Sequence, residues 1–187
     1  MQEIWLTKID WDDSQPRNVL LRWETFLDNY EHIQKIKIPR WTNFTPWDEV
    51  EFHGFCDASE KAYAAALYIR VRDRASNNAP HINLLVGKTK VAPVKTVSLP
   101  RLELCGALLL AELINTFIPQ FEVTQPVIYK WTDSTVVLSW LRKPACTWKT
   151  FVANRVAKID ELDGASGWNL VDSADNPADL GSRGVSP

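Results

Sequence analysis

Four acidic residues stand where the chain can gather chemistry. Asp57 follows the alternating segment Phe52 to Cys56, and Asp133 follows the apolar run Val127 to Trp131. Glu103 lies in the first turns of a long apolar segment, and Asp179 opens a terminal helical turn. Each acid therefore falls at or near the end of an expected element. In an α/β sheet such ends line one edge of the fold, where ligand crevices form. Carboxylates brought together there repel one another unless a divalent cation neutralises them. Hard oxygen donors favour Mg2+ or Mn2+ over Zn2+.

Each acid also has a plainer reading. Asp57-Ala-Ser suits a strand-ending turn and Asp133-Ser-Thr a helix cap. Asn176 with Asp179 three residues on is a capping signature. Glu103 is the most informative, because it sits among Leu102, Leu104, Cys105, Ala107 and Leu108. Burying a carboxylate there without a partner is costly, so a metal or a strong partner is expected. The alternative is an exposed first-turn acid favoured by the helix dipole.

The elements that would position these acids follow from hydrophobic periodicity. Val50 to Cys56, Tyr63 to Val71 and Ile82 to Lys88 read as three strands with short links, an antiparallel meander, the second link being the polar turn Arg72 to Pro80. Pro100 sets the first turn of a helix reaching about Phe117, apolar nearly all round, as suits a helix between two layers. A strand at Val127 to Trp131, a short helix at Ser134 to Leu141, an amphipathic helix at Thr147 to Leu162 and a strand at Trp168 to Val171 follow, with a helical turn from Asn176-Pro177. The order βββαβααβα implies a mixed sheet covered by helices, in an α/β or α+β class.

Residues 1 to 50 differ in character. They hold six basic and nine acidic side chains, against fifteen and fourteen in residues 51 to 187, and five of the nine Trp. Trp11-Asp12-Asp13 reads as a turn, Pro16 to Tyr30 has helical spacing through Leu20, Trp23, Leu27 and Tyr30, and Trp41 to Asp48 reads as a connector. So apolar a segment is expected to pack and to form an extension, 1 to 50, ahead of a domain at 51 to 187.

Across 187 residues, 45% are hydrophobic and 24% charged, which excludes disorder and collagen-like repeats and suits one sizeable core. No run approaches the ~18 apolar residues of a membrane span, and the opening residues lack a signal-peptide pattern, so an intracellular chain without a membrane partner is expected. Cys56, Cys105 and Cys146 are odd in number and widely spaced, and read as buried free thiols.

The net charge of −2 does not announce a nucleic-acid binder, but it is unevenly spread. Residues 88 to 101 carry Lys88, Lys90, Lys95 and Arg101 without an acid, and residues 142 to 158 carry Arg142, Lys143, Lys149, Arg155 and Lys158, also without one. Both stretches suit phosphate contacts. The second interleaves Trp140, Trp148 and Phe151, which also suits a helix packed on the sheet.

At these residues a family resemblance appears. FHGFCDASEKAYAAALYIR, KTKVAPVKTVSLPRLELCGALLLAEL, WTDSTVVLSWL, FVANRVAKIDEL and NPADLGSRG closely resemble the ribonuclease H region of Bel/Pao-type LTR retrotransposon polyproteins. WDDSQPRNVLLRWETFLDN and KIKIPRW resemble the reverse transcriptase tail that leads into it. The resemblance implies a ribonuclease H fold: a five-stranded mixed sheet, strands one to three antiparallel, flanked by helices. It implies a D-E-D-D set, here Asp57, Glu103, Asp133 and Asp179, holding two Mg2+ ions with Mn2+ as a substitute. The implied substrate is the RNA strand of an RNA/DNA hybrid, and the implied partner the rest of the reverse transcriptase polyprotein. Contacts to 2′-hydroxyls are open to backbone groups after Asp57 and to polar side chains such as Ser59 or Ser134, and Arg183 stands beside the last acid to meet phosphate or cap the chain.

Two departures bear on this. Asn176 and Asp179 are three residues apart where many relatives have four, leaving Asp175 as an alternative ligand. No His occupies the loop before the last acid; His32, His53 and His81 all lie upstream. Two rival readings are a fold retained for binding without catalysis, and a transposase or integrase of the same broad fold. The second is disfavoured because its Glu comes late, whereas Glu103 comes second. An aspartic protease lacks its Asp-Thr-Gly or Asp-Ser-Gly.

Overall fold

The computed structural model describes residues 2–10, 12–39, 41–45, 47–73, 79–123, 125–163 and 166–185. Trp11 of the expected first turn, and 74–78 within the expected polar turn, lie outside them. The chain divides into two compact units, Met1–Pro39 with Val185–Pro187, and Arg40–Gly184.

The first unit contains α1 (Gln2–Thr7) and α2 (Arg17–Tyr30), the latter continued by a 3-10 turn, Glu31–Lys35. The expected helix is present, but none of its residues is buried. Trp23 stacks on Phe26 along its own helix at 5.6 Å and remains 56% exposed.

The second unit is built on five strands: β1 (Glu49–Ala58), β2 (Ala62–Arg72), β3 (His81–Val91), β4 (Val127–Thr132) and β5 (Trp168–Leu170). Their order is β3-β2-β1-β4-β5, with β1–β2 and β2–β3 antiparallel and β1–β4 and β4–β5 parallel. The helices are α3 (Leu99–Phe117), α4 (Thr135–Leu141), α5 (Thr150–Asp163) and α6 (Ala178–Arg183). The segment Trp41 to Asp48 belongs with the sheet rather than with the extension. Asn83 Nδ2 donates to the Thr42 carbonyl at 3.2 Å, and Phe44 meets Phe121 edge-on at 6.0 Å.

The core lies between the sheet and α3, where Phe52, Leu67, Ile69, Leu104, Leu109 and Leu110 are closed to solvent. The helix runs down β1 against the strand direction. A Cβ on Gly54 would meet Leu110, and one on Gly106 would stand 3.0 Å from the Asp57 carbonyl oxygen. Position 106 must therefore be glycine-small for α3 to approach β1 this closely. Glu103, one turn earlier, is carried toward the end of the strand. The other side of α3 meets α5, which buries Val152, Val156 and Ile159 at helical spacing. Contrary to the expectation that no run approaches a membrane span, Leu99–Phe121, which is α3 with the 3-10 turn after it, is long and apolar enough to cross a membrane, but more than half of it is buried, as in the core helix of this unit.

Several boundaries moved. Asp57 is inside β1 rather than after it. The fifth helix begins at Thr150, not Thr147, because Ala145–Thr147 forms a 3-10 turn and Trp148 is extended. Of the three thiols expected to be buried, only Cys56 is. Cys105 is half-buried and accepts from Arg155 Nε at 3.3 Å, while Cys146 is exposed on the turn before α5. Burial pushes the Cys56 thiol far up, so it stays protonated.

Candidate active site

Strand register assembles the site. In the parallel pair of β1 and β4, Cys56 stands opposite Thr132, so the next residues, Asp57 and Asp133, leave adjacent strands at the same edge. Thr132 is in turn opposite Leu170 of β5, and the Val171 N–H donates to the Thr132 carbonyl at 3.1 Å. That bond brings the turn Ser173–Asp175 to the same edge, where Ser173 Oγ donates to Asp133 Oδ2 at 2.6 Å. Glu103 arrives from α3, and Ser134 Oγ donates to it at 2.5 Å. Ser134 also caps α4 by accepting the Val137 N–H at 3.2 Å.

Asp179 is delivered by α6, which is fastened to the sheet at several points. Asn176, buried, donates through Nδ2 to the Cys56 carbonyl at 3.0 Å and accepts the Ala178 N–H at 3.1 Å. Ser59 Oγ donates to the Ser182 carbonyl at 2.6 Å, and Thr89 Oγ1 to the Gly181 carbonyl at 3.1 Å. Ser182 Oγ donates to Asp57 Oδ2. Asp179 itself pairs with Arg183 Nε at 2.5 Å.

The acids feel one another. Burial raises the Asp57 carboxyl above its usual range, and the Asp133 and Asp179 charges raise it further, against the Ser182 hydrogen bond. Burial likewise raises Glu103, with Asp133 and Asp57 adding to it, against the Ser134 bond. Asp175, the alternative fourth acid, lines a separate cleft of about 380 Å³ with His53, Phe55, Tyr68, Arg70, Ile82 and Pro177.

As the side chains stand, no three acidic, His or Cys groups among the described residues are close enough to hold a metal ion. The donor set nevertheless suits a hard divalent cation. It consists of carboxylates at one sheet edge, two of which, Asp57 and Glu103, are raised by burial and then by neighbouring charge, and Asp57, Glu103 and Asp133 are held by neutral serine hydroxyls rather than by cations.

The other expected contact residues divide by exposure. Ser59 and Ser134 are committed to internal hydrogen bonds. Lys88 and Lys90 are exposed on β3, where Lys90 stands 3.7 Å from Glu112. Arg101 is exposed in the first turn of α3 and lies 5.1 Å from the Phe151 ring, which carries Arg155 at 3.6 Å. Arg142, Lys143 and Lys149 project from the α4–α5 link, with Lys143 over Trp148 at 5.6 Å. His53 is about 13 Å back along β1 from Asp57 by strand rise and stands 3.3 Å from Glu51. Sequence reasoning did not single out Ser173, Ser182 or the buried Asn176 as partners of the site. Their only signal was their place beside acidic motifs.

This sheet order, with the acids at one edge, defines a ribonuclease H-like domain. The Pao retrotransposon-like RNaseH-like domain model matches residues 1–134, and the chain belongs to that family. Among solved structures it is similar to the RNase H1 of the halophilic archaeon Halobacterium salinarum NRC-1, at 16% identity and a TM-score of 0.43, over 72% of this chain and 94% of that one. The N-terminal RNase H domain of Rv2228c from Mycobacterium tuberculosis gives 13%, 0.44, 72% and 92%. LC11-RNase H1 in complex with an RNA/DNA hybrid gives 10%, 0.44, 72% and 94%. No curated protein matches the chain.

Proposed function

We propose that this domain cuts the RNA strand of RNA/DNA hybrids during retrotransposon reverse transcription, working beside the rest of the reverse transcriptase polyprotein. Asp57, Glu103, Asp133 and Asp179 would hold two Mg2+ ions, with Mn2+ able to replace them. The observation that carries this reading is the convergence of Asp57, Glu103 and Asp133 from three separate elements, Asp57 and Asp133 leaving adjacent parallel strands at one end of the sheet and Glu103 reaching Ser134, the residue after Asp133. Bound divalent cations supply Lewis-acid activation of water and of the departing 3′ oxygen. The chain's own side chains do the rest. Ser134, Ser173 and Ser182 orient three carboxylates, while Arg142, Lys143 and Lys149 bind phosphates and bring the duplex to the edge. The loop before Asp179 carries no His, so the proton transfer or product release that relatives give to such a His would be absent here or fall to another group.

One observation favours a second reading, binding without cleavage: Asp179 is already paired with Arg183. Labelled RNA/DNA hybrid, double-stranded RNA and double-stranded DNA, incubated with the protein in Mg2+, separate the two. Cutting of hybrid alone, abolished by Asp57→Asn and by Asp133→Asn, supports the nuclease. Hybrid retention without cutting supports the binding module.

A further inference from the structure

We propose that Ser182 is a positioning residue for Asp57, orienting its carboxylate to receive a divalent cation; this rests on the nuclease reading above. Ser182 is 1% exposed, and its hydroxyl donates from α6 to Asp57 Oδ2. The bond is not one the serine needs for its own satisfaction. The Asp179 carbonyl, three residues back, lies 3.1 Å from the same oxygen. A buried hydroxyl with that option still turned to a carboxylate makes the stronger, charge-assisted bond.

The surroundings hold α6 in the position that makes this possible. The Ser182 carbonyl is itself fastened by Ser59 at 2.6 Å, and the Gly181 carbonyl by Thr89 at 3.1 Å. A Cβ on Gly181 would stand 2.9 Å from the Ala64 Cβ, and Ala64 is the β2 partner of Asp57. The helix thus sits directly over the strand pair that carries the first acid. Among the described side-chain hydrogen bonds, the one from Ser182 is the one that fixes which way the Asp57 carboxylate faces. Groups that hold ligands from behind typically change metal affinity or activity by about 10–100-fold when removed.

The test compares the full chain with Ser182→Ala, Ser182→Cys and Ser182→Thr. Mn2+ binding is read by titration calorimetry, thermal midpoint with and without Mn2+, and hybrid cleavage as a function of Mg2+. The expected result is Mn2+ affinity about 10–100-fold weaker in Ser182→Ala. Its cleavage returns toward the wild-type rate at high Mg2+, and Ser182→Thr keeps near wild-type affinity. Ser182→Cys keeps the volume with a weak donor, so it answers the same question if the alanine variant does not fold; weakened Mn2+ binding in a folded cysteine variant supports the proposal. Wild-type Mn2+ affinity in folded Ser182→Ala or Ser182→Cys overturns the role of Ser182 and leaves the nuclease reading intact. So does Ser182→Thr binding as weakly as the alanine variant. Wild-type protein that binds Mn2+ but does not cut hybrid overturns the nuclease reading, while the affinity ranking still decides the role of Ser182. Wild-type protein that takes up no Mn2+ overturns both.

Discussion

Ser134 serves two masters in one bond network: its hydroxyl accepts the Val137 N–H at 3.2 Å and donates to the Glu103 carboxylate at 2.5 Å. The cap on α4 and the orientation of the second acid are therefore the same side chain. Ser134→Ala is expected to cost about 1 kcal/mol through loss of the cap alone. Asn and Asp can both replace the cap, but Asp sets a like charge against Glu103. In metal-free buffer at neutral pH, Ser134→Asp should be less stable than Ser134→Asn, and the gap should close as Glu103 protonates in acid. Urea denaturation at both pH values reads this, and equal stability of the two at neutral pH would refute the coupling.

The crowded acids predict an unusual pH dependence. Asp57 and Glu103 have pKa values raised in the fold, first by burial and then by neighbouring charges. A carboxyl raised by folding favours the fold while protonated. That contribution is complete below the unfolded value, about 4, and is lost as pH rises through the higher folded value. In a chelating buffer the thermal midpoint of Asp57→Asn should gain on wild type as pH goes from acid to neutral. At neutral pH, Mg2+ should stabilise wild type by about 2.7 kcal/mol at a hundred times its dissociation constant, and Asp57→Asn far less. A pH-independent difference between the two proteins would remove the basis for this.

The sequence was most legible where the physics is local. Alternation marks β1 and an apolar run marks β4, and an acid at the end of each is visible without any structure. That these ends adjoin depends on the parallel register of Cys56 with Thr132, a long-range pairing that no window along the chain contains. The hydroxyl partners were hidden for the same reason, since Ser173 reaches Asp133 across 40 residues and Ser182 reaches Asp57 across 125. Cys146 was misread because its aromatic neighbours pack on each other: the Trp148 indole N–H donates to the Trp140 carbonyl at 3.1 Å, leaving the thiol outside. In α2, periodicity gave the helix correctly, yet an apolar stripe does not by itself secure burial.

Gly106 offers a test of distance rather than charge. Its missing Cβ lets α3 lie against the Asp57 backbone, and an added methyl would stand 3.0 Å from that carbonyl oxygen. Helix propensity alone favours alanine by about 1 kcal/mol, so Gly106→Ala need not unfold the protein. It should lift Glu103 away from Asp57 and lower hybrid cleavage by up to about 100-fold. Gly87→Ala, where an added Cβ meets nothing within 4 Å, is the control and should cut normally. Wild-type cleavage by folded Gly106→Ala would show that the close approach of α3 is not needed for the site.

The basic link between α4 and α5 makes a prediction of a different kind, because phosphate contacts show in salt dependence rather than in rate. Arg142, Lys143 and Lys149 are exposed, and no carboxylate intervenes between residues 142 and 158. Each side chain that neutralises a phosphate should reduce the slope of log K against log salt by about 1 when removed. Lys149→Ala should therefore weaken hybrid binding at low salt, with a shallower slope and no change in which duplex is preferred. Lys90, 3.7 Å from Glu112, should contribute less, because its charge is already partly answered. Binding isotherms in metal-free buffer across a series of NaCl concentrations give the slopes directly. Unchanged slopes for Arg142→Ala, Lys143→Ala and Lys149→Ala together would move the duplex to another face of the domain.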